Sequence, residues 1–136
     1  MPADVFARPR AGVWKLPFAR PELRSLLSAM LAAAGTPEAA VELLLVNDAD
    51  MEHLQQRHLR RPGPTNILSF PSGNASLGSL VLAPETVCRE CFLYGQEPAG
   101  YVRRLLAHGL AHLLGRNHGP EMDRLTALLE QSTRET

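Results

Sequence analysis

From Pro21 onward, Leu23, Leu26, Leu27, Met30 and Leu31 recur every three or four residues, the period of one buried helix face. Pro21 falls in the first turn and Gly35 just past the end, so this segment predicts an amphipathic helix. The run Val41-Glu42-Leu43-Leu44-Leu45-Val46 is short, apolar and bounded by Thr36-Pro37 and Asn47-Asp48. It predicts a buried strand, although a leucine-rich run also suits a helix. Asp48 or Asp50 is the expected cap of a short helix through about His58. Arg60-Arg61-Pro62-Gly63-Pro64 must be a loop. Ile67–Phe70 and Leu80–Leu82 read as strands on either side of a Gly/Ser/Asn turn. From Pro84 the pattern is helical in three pieces, about 84–94, 98–114 and 120–131. Residues 1–19 hold three prolines and no clean period, and read as a strand-forming arm or an irregular lead-in. Strands early and helices late predict an α+β fold, a small mixed β-sheet packed with about five α-helices.

The chain has 136 residues, the size of one domain spanning 1–136, with a core that needs no disulfide or metal staple. Lys plus Arg and Asp plus Glu are both 14, so a uniformly basic nucleic-acid coat is excluded and any such contact is a local patch. Every cation except Lys15 is arginine. Arginine suits bidentate phosphate contacts, but a GC-rich coding sequence gives the same skew and is the simpler reading. No apolar run approaches the ~20 residues that cross a bilayer, and the N-terminal segment lacks the pattern of a signal peptide. Two cysteines are too few for a secreted disulfide scaffold. A cytoplasmic protein with no membrane partner is expected.

The chemistry concentrates in His108-Gly109-Leu110-Ala111-His112-Leu113-Leu114-Gly115-Arg116-Asn117-His118. His108 and His112 are four apart on an expected helix, so both imidazoles leave one face and can share a metal. Gly115 can end the helix in the left-handed conformation, letting the chain turn back and bring His118 to the same ion. Three imidazoles with one open position make a catalytic rather than a structural zinc site, here on the C-terminal helix and following turn. A lone histidine on an apolar helix face is more simply a core residue. Three of the five histidines within eleven residues, with the glycine in place, are not. The spacing H-x-x-x-H-x-x-G-x-x-H is shared with metzincin proteases. Their glutamate beside the first histidine is Gly109 here, which argues against a metallopeptidase.

The stretch HGLAHLLGRNH resembles the H-G-x-L-H-L-x-G-Y-D-H signature of the YbeY-type rRNA maturation factors, single-strand-specific endoribonucleases of bacteria and organelles. Pro64-Thr65-Asn66-Ile67-Leu68-Ser69-Phe70-Pro71 is similar to their P-T-[DN]-[VI]-L-S-F-P motif, and Leu77-Gly78-Ser79-Leu80-Val81-Leu82 to L-G-D-[IL]-V-I. The resemblance spans about residues 20–131. It implies a zinc ion, one per chain, on His108, His112 and His118, and single-stranded RNA, chiefly rRNA, as substrate. It further implies action in rRNA maturation and ribosome quality control, contact with the ribosome or its proteins, and no role for DNA. Asn117 stands where the family has Asp, Arg116 where it has Tyr, Ala111 where it has Leu and Ser79 where it has Asp. The family's arginine before the P-T-D motif aligns with Leu59, with Arg60 one residue on.

Arg57-His58-Leu59-Arg60-Arg61 is the densest basic stretch. Arg57, Arg60 and Arg61 are candidate phosphate contacts, although arginine at a helix end also complements the helix dipole. Ser69 is a candidate substrate-binding residue lining the zinc cleft. Cys88 and Cys91 have C-x-x-C spacing without a second pair and read as an incidental helical pair. Aromatic residues are only 5% and show no RNA-stacking pattern. Two further readings stand beside the nuclease: a non-catalytic, zinc-containing ribosome-binding module, and the disfavoured metallopeptidase.

Overall fold

A computed structural model describes residues 3–59, 65–72, 76–115 and 119–134. Four strands form one mixed sheet: β1 (Ala3–Ala7), β2 (Ala40–Leu45), β3 (Ile67–Pro71) and β4 (Ser76–Leu82). Its order is β1-β2-β4-β3, with β1, β2 and β4 parallel and β3 antiparallel to β4. The helices are α1 (Arg20–Ala33), α2 (Asp48–Leu59), α3 (Pro84–Tyr94), α4 (Pro98–Leu113) and α5 (Pro120–Gln131), with a 3-10 turn at Val13–Lys15. This is the expected α+β architecture.

The strand period of two divides the side chains between two layers. Leu43, Leu45, Leu80 and Leu82 point into the main core, where they join buried residues of α1, α3, α4 and α5. Leu68 and Val81 point the other way, into a smaller cluster with Met51, Leu54 and Phe70, so α2 covers the opposite face. Strand β2 buries Val41, Leu43 and Leu45 in the main core, while on its other face Ala40 and Glu42 are exposed and Leu44 packs half-buried against the α2 cluster.

Two details differ from the expectation. The cap of α2 is Asn47, whose Oδ1 accepts from the Asp50 amide at 2.8 Å, not Asp48 or Asp50. Asp48 instead accepts from the Thr86 hydroxyl (2.7 Å) and pairs with Arg89 (2.8 Å), tying α2 to α3. Strand β4 begins at Ser76, four residues before Leu80. Its first half lies against Phe70 and Pro71, so pairing rather than apolarity defines it. Gly78, at φ 137°, is required there, because a Cβ would stand 2.2 Å from the Phe70 carbonyl oxygen. The N-terminal arm resolves into β1, an edge strand paired with β2.

Candidate active site

Helix α4 carries the histidines, and its start is fixed by Glu97. That side chain accepts from the amides of Ala99 (2.7 Å) and Gly100 (3.0 Å), ahead of Pro98 in the first turn. The Ala99 and Gly100 hydrogen bonds hold the Glu97 carboxyl below its usual range. Val102, Leu106, Leu110 and Leu113 bury the opposite stripe in the core. His108 and His112 are thereby left half-buried on one face, ring centres 4.8 Å apart and nearly perpendicular at 88°. Zn–N bonds of about 2.0–2.1 Å put the ring centres of two imidazoles sharing a tetrahedral ion roughly 5 Å apart, so the pair has a fitting separation. Among the described residues no three His, Cys, Asp or Glu side chains gather as a metal site. His118, Asn117 and Arg116 lie outside those residues.

Gly109 faces away from the histidines into the sheet. A Cβ there would stand 2.9 Å from Leu80 Cδ2, 3.0 Å from Ile67 Cδ1 and 3.3 Å from Ser69 Oγ. Position 109, the glutamate position of H-E-x-x-H, is thus a packing position in this chain. Ser69 sits directly beneath, its hydroxyl donating to the Gly109 carbonyl at 3.1 Å.

Arg57 is exposed on α2, across the sheet from α4. Strand β3 is the edge between the two layers, with Ser69 turned towards α4 and Phe70 towards α2. His58 meets Phe70 there edge-on, ring centres 5.1 Å apart. The structure therefore does not put Arg57 on the histidine face. Arg60 and Arg61, like the side chain of Leu59, lie outside the described residues. Ser79 is also on the α2 face, its hydroxyl 3.4 Å from Glu42, so that departure from the family pattern lies away from the histidines. Cys88 and Cys91 are free thiols on α3, and burial pushes the Cys91 thiol up, away from reactivity.

Sequence reading missed the groove between α4 and α5. It has a volume of about 340 Å³ and is lined by Arg104, Leu105, His108, Asp123, Thr126, Ala127 and Glu130. The available signal was Arg104, four residues before His108 and hence on the same helical stripe.

Asn66, within the second motif, works as a strut. Its amide and the Tyr101 hydroxyl both donate to Glu90 Oε1 at 2.9 Å, joining the start of β3 to α3 and α4. Burial and this hydrogen bond raise the Tyr101 pKa from 10.0 to about 12. Above pH 10 the unfolded chain loses this proton while the folded one keeps it, so stability should fall between about pH 10 and 12. Urea unfolding across that range should show a shallower pH slope in Tyr101→Phe; an identical slope would remove Tyr101 as the cause.

The model of the endoribonuclease YbeY family matches residues 15–135. The chain belongs to the YbeY endoribonuclease family. An endoribonuclease YbeY of Oleidesulfovibrio alaskensis is 39% identical over 140 residues, covering 85% of this chain and 83% of its own. The YbeY of Lawsonia intracellularis is 40% identical over 118 residues, covering 86% and 87%. A Thermotoga maritima protein solved in solution shares the fold at a TM-score of 0.69 and 16% identity, covering 96% of this chain and 88% of its own. Among the described residues no helix is long and apolar enough to cross a membrane.

Proposed function

We propose that this chain is a zinc-dependent, single-strand-specific endoribonuclease of the cytoplasm, acting on rRNA in ribosome maturation and quality control, in contact with the ribosome or its proteins. The observation that carries the reading is the His108–His112 pair, half-buried at 4.8 Å on a helix whose other stripe is core, in a chain of the YbeY family. His108, His112 and His118 would hold one zinc ion. A zinc ion supplies Lewis acidity, acidifying water and polarising a phosphoryl oxygen.

The chain's own residues supply position and charge. The buried leucines of α4 fix the imidazoles. Arg60 and Arg61 attract the phosphate backbone, and Arg57 holds strand that passes around the β3 edge. Position 109 offers no general base, since its Cβ site is filled by Leu80 and Ile67. The non-catalytic reading draws on Leu59, where the resemblance places an arginine, and on Asn117 in place of Asp, because an amide cannot accept a proton near neutral pH.

Purified protein incubated with one RNA sequence, single-stranded and annealed as duplex, tests the proposal. Cleavage of the single strand alone is expected, with His112→Ala reduced at least about 100-fold, within the range that one essential catalytic group commands. Zinc-loaded protein that binds the RNA and leaves it intact would favour the non-catalytic module. A chelator should stop cleavage before it unfolds the domain, because a core of this size forms without metal. Circular dichroism during chelation checks this, and immediate unfolding would make the site structural.

A further inference from the structure

We propose that Ser69 is a positioning residue for the histidine pair, acting through the carbonyl of Gly109 and not as a ligand of substrate. The inference rests on the reading that His108 and His112 bind zinc. Gly109 follows His108 directly and precedes His112 by three residues, so its peptide unit sets the height and roll of both imidazoles over the sheet. That unit is held in two ways.

The first is contact. Without a Cβ at 109, the helix backbone settles onto β3 and β4 until a Cβ would come within 3.0 Å of Ile67 and 2.9 Å of Leu80. This packing brings α4 close but has little directional content, because apolar burial scales with area rather than orientation. The second is the hydrogen bond from Ser69 Oγ to the Gly109 oxygen at 3.1 Å. A helical carbonyl has a second lone pair beyond the one used within the helix, and a bond of this length is directional. It pins one point of α4 to the edge strand and stops the helix from sliding along its apolar stripe. A metal site tolerates about 0.5 Å and 10–20° of misplacement in its ligands, so this pin bears directly on affinity. The hydroxyl hydrogen is committed to α4, which removes Ser69 as a donor to a phosphate.

The test measures zinc itself. Zinc dissociation constants are determined by competition with a chromophoric chelator for the wild type, Ser69→Ala and Ser69→Thr, alongside thermal unfolding of the metal-free proteins. Cobalt(II) absorption of each variant reports the ligand geometry, which a change in stability alone does not move. Ser69→Ala should bind zinc about 10–100-fold more weakly, the usual cost of losing a group that orients a ligand, and show an altered cobalt spectrum. Ser69→Thr keeps the donor and should recover most of the affinity. If the wild type binds zinc and Ser69→Ala binds it equally well with an unchanged spectrum, the positioning role is overturned. A folded Ser69→Thr that binds as weakly as alanine overturns it too. A wild type that binds no zinc would instead remove the reading on which the proposal stands.

Discussion

Replacing His118 with alanine should weaken zinc binding by more than about 100-fold and silence RNA cleavage, while Cys91→Ser leaves both unchanged. Groups that only orient a ligand cost about 10–100-fold, so a direct ligand must cost more. Its loss leaves two imidazoles from one helix, and two ligands do not hold zinc against water at ordinary protein concentrations. The cysteines make the control informative, since they are the chain's only thiols. Cys91 is buried in the core on α3, and with Cys88 it borders a groove lined by Lys15, Phe92 and Pro98. Elemental analysis after dialysis reads the outcome. Equal zinc loss from Cys91→Ser would mean that the ligand set is wrong.

Gly109→Glu, which would complete the H-E-x-x-H pattern of a metallopeptidase, should instead destabilise the fold by more than about 3 kcal/mol. Overpacking a filled core costs about 1–3 kcal/mol. Here even the first added carbon falls 2.9 Å from Leu80, itself fully buried. A carboxylate forced among Leu80 and Ile67 adds the cost of an unpaired charge in an apolar setting. The gain in helix propensity over glycine, about 1 kcal/mol at most, does not offset this. Urea denaturation reads the change directly. A variant of wild-type stability would overturn the reading of position 109 as a filled packing position.

Most of the architecture was legible because local signals agreed with one another. Prolines 84, 98 and 120 each open a helix where the apolar period begins. The leucine run at 41–46 resolved into a strand whose Val41, Leu43 and Leu45 face the helices of the main core, while Leu44 and Val46 pack towards α2 and Glu42 is exposed. The cap of α2 was misplaced by one to three residues, since Asn47, Asp48 and Asp50 are all competent acceptors and tertiary contacts decide among them. Asp48 is drawn away by Thr86 and Arg89, which are distant in sequence.

The histidine pair was legible for the same local reason, its spacing of four on a helix. The Ser69–Gly109 bond was not, because it joins residues 40 apart whose pairing depends on how α4 lies across β3. The sheet face of Ser79 and Arg57 was equally hidden. It follows from strand parity and from which layer α2 covers, and both turn on a register that only the folded sheet defines. The two layers meet at β3, where one strand presents Ser69 to the histidine helix and Phe70 to α2, the helix that carries Arg57.

One zinc ion on this chain should make it a nuclease for single-stranded RNA. Metal-free protein is titrated with zinc, and cleavage of one labelled single-stranded RNA is followed at each step. Expected are negligible cleavage without metal, a rise in proportion to added zinc and a plateau at one equivalent per chain, with no rise for His112→Ala. Full cleavage by the metal-free protein, or none at any zinc level by a folded, zinc-loaded protein, would contradict it.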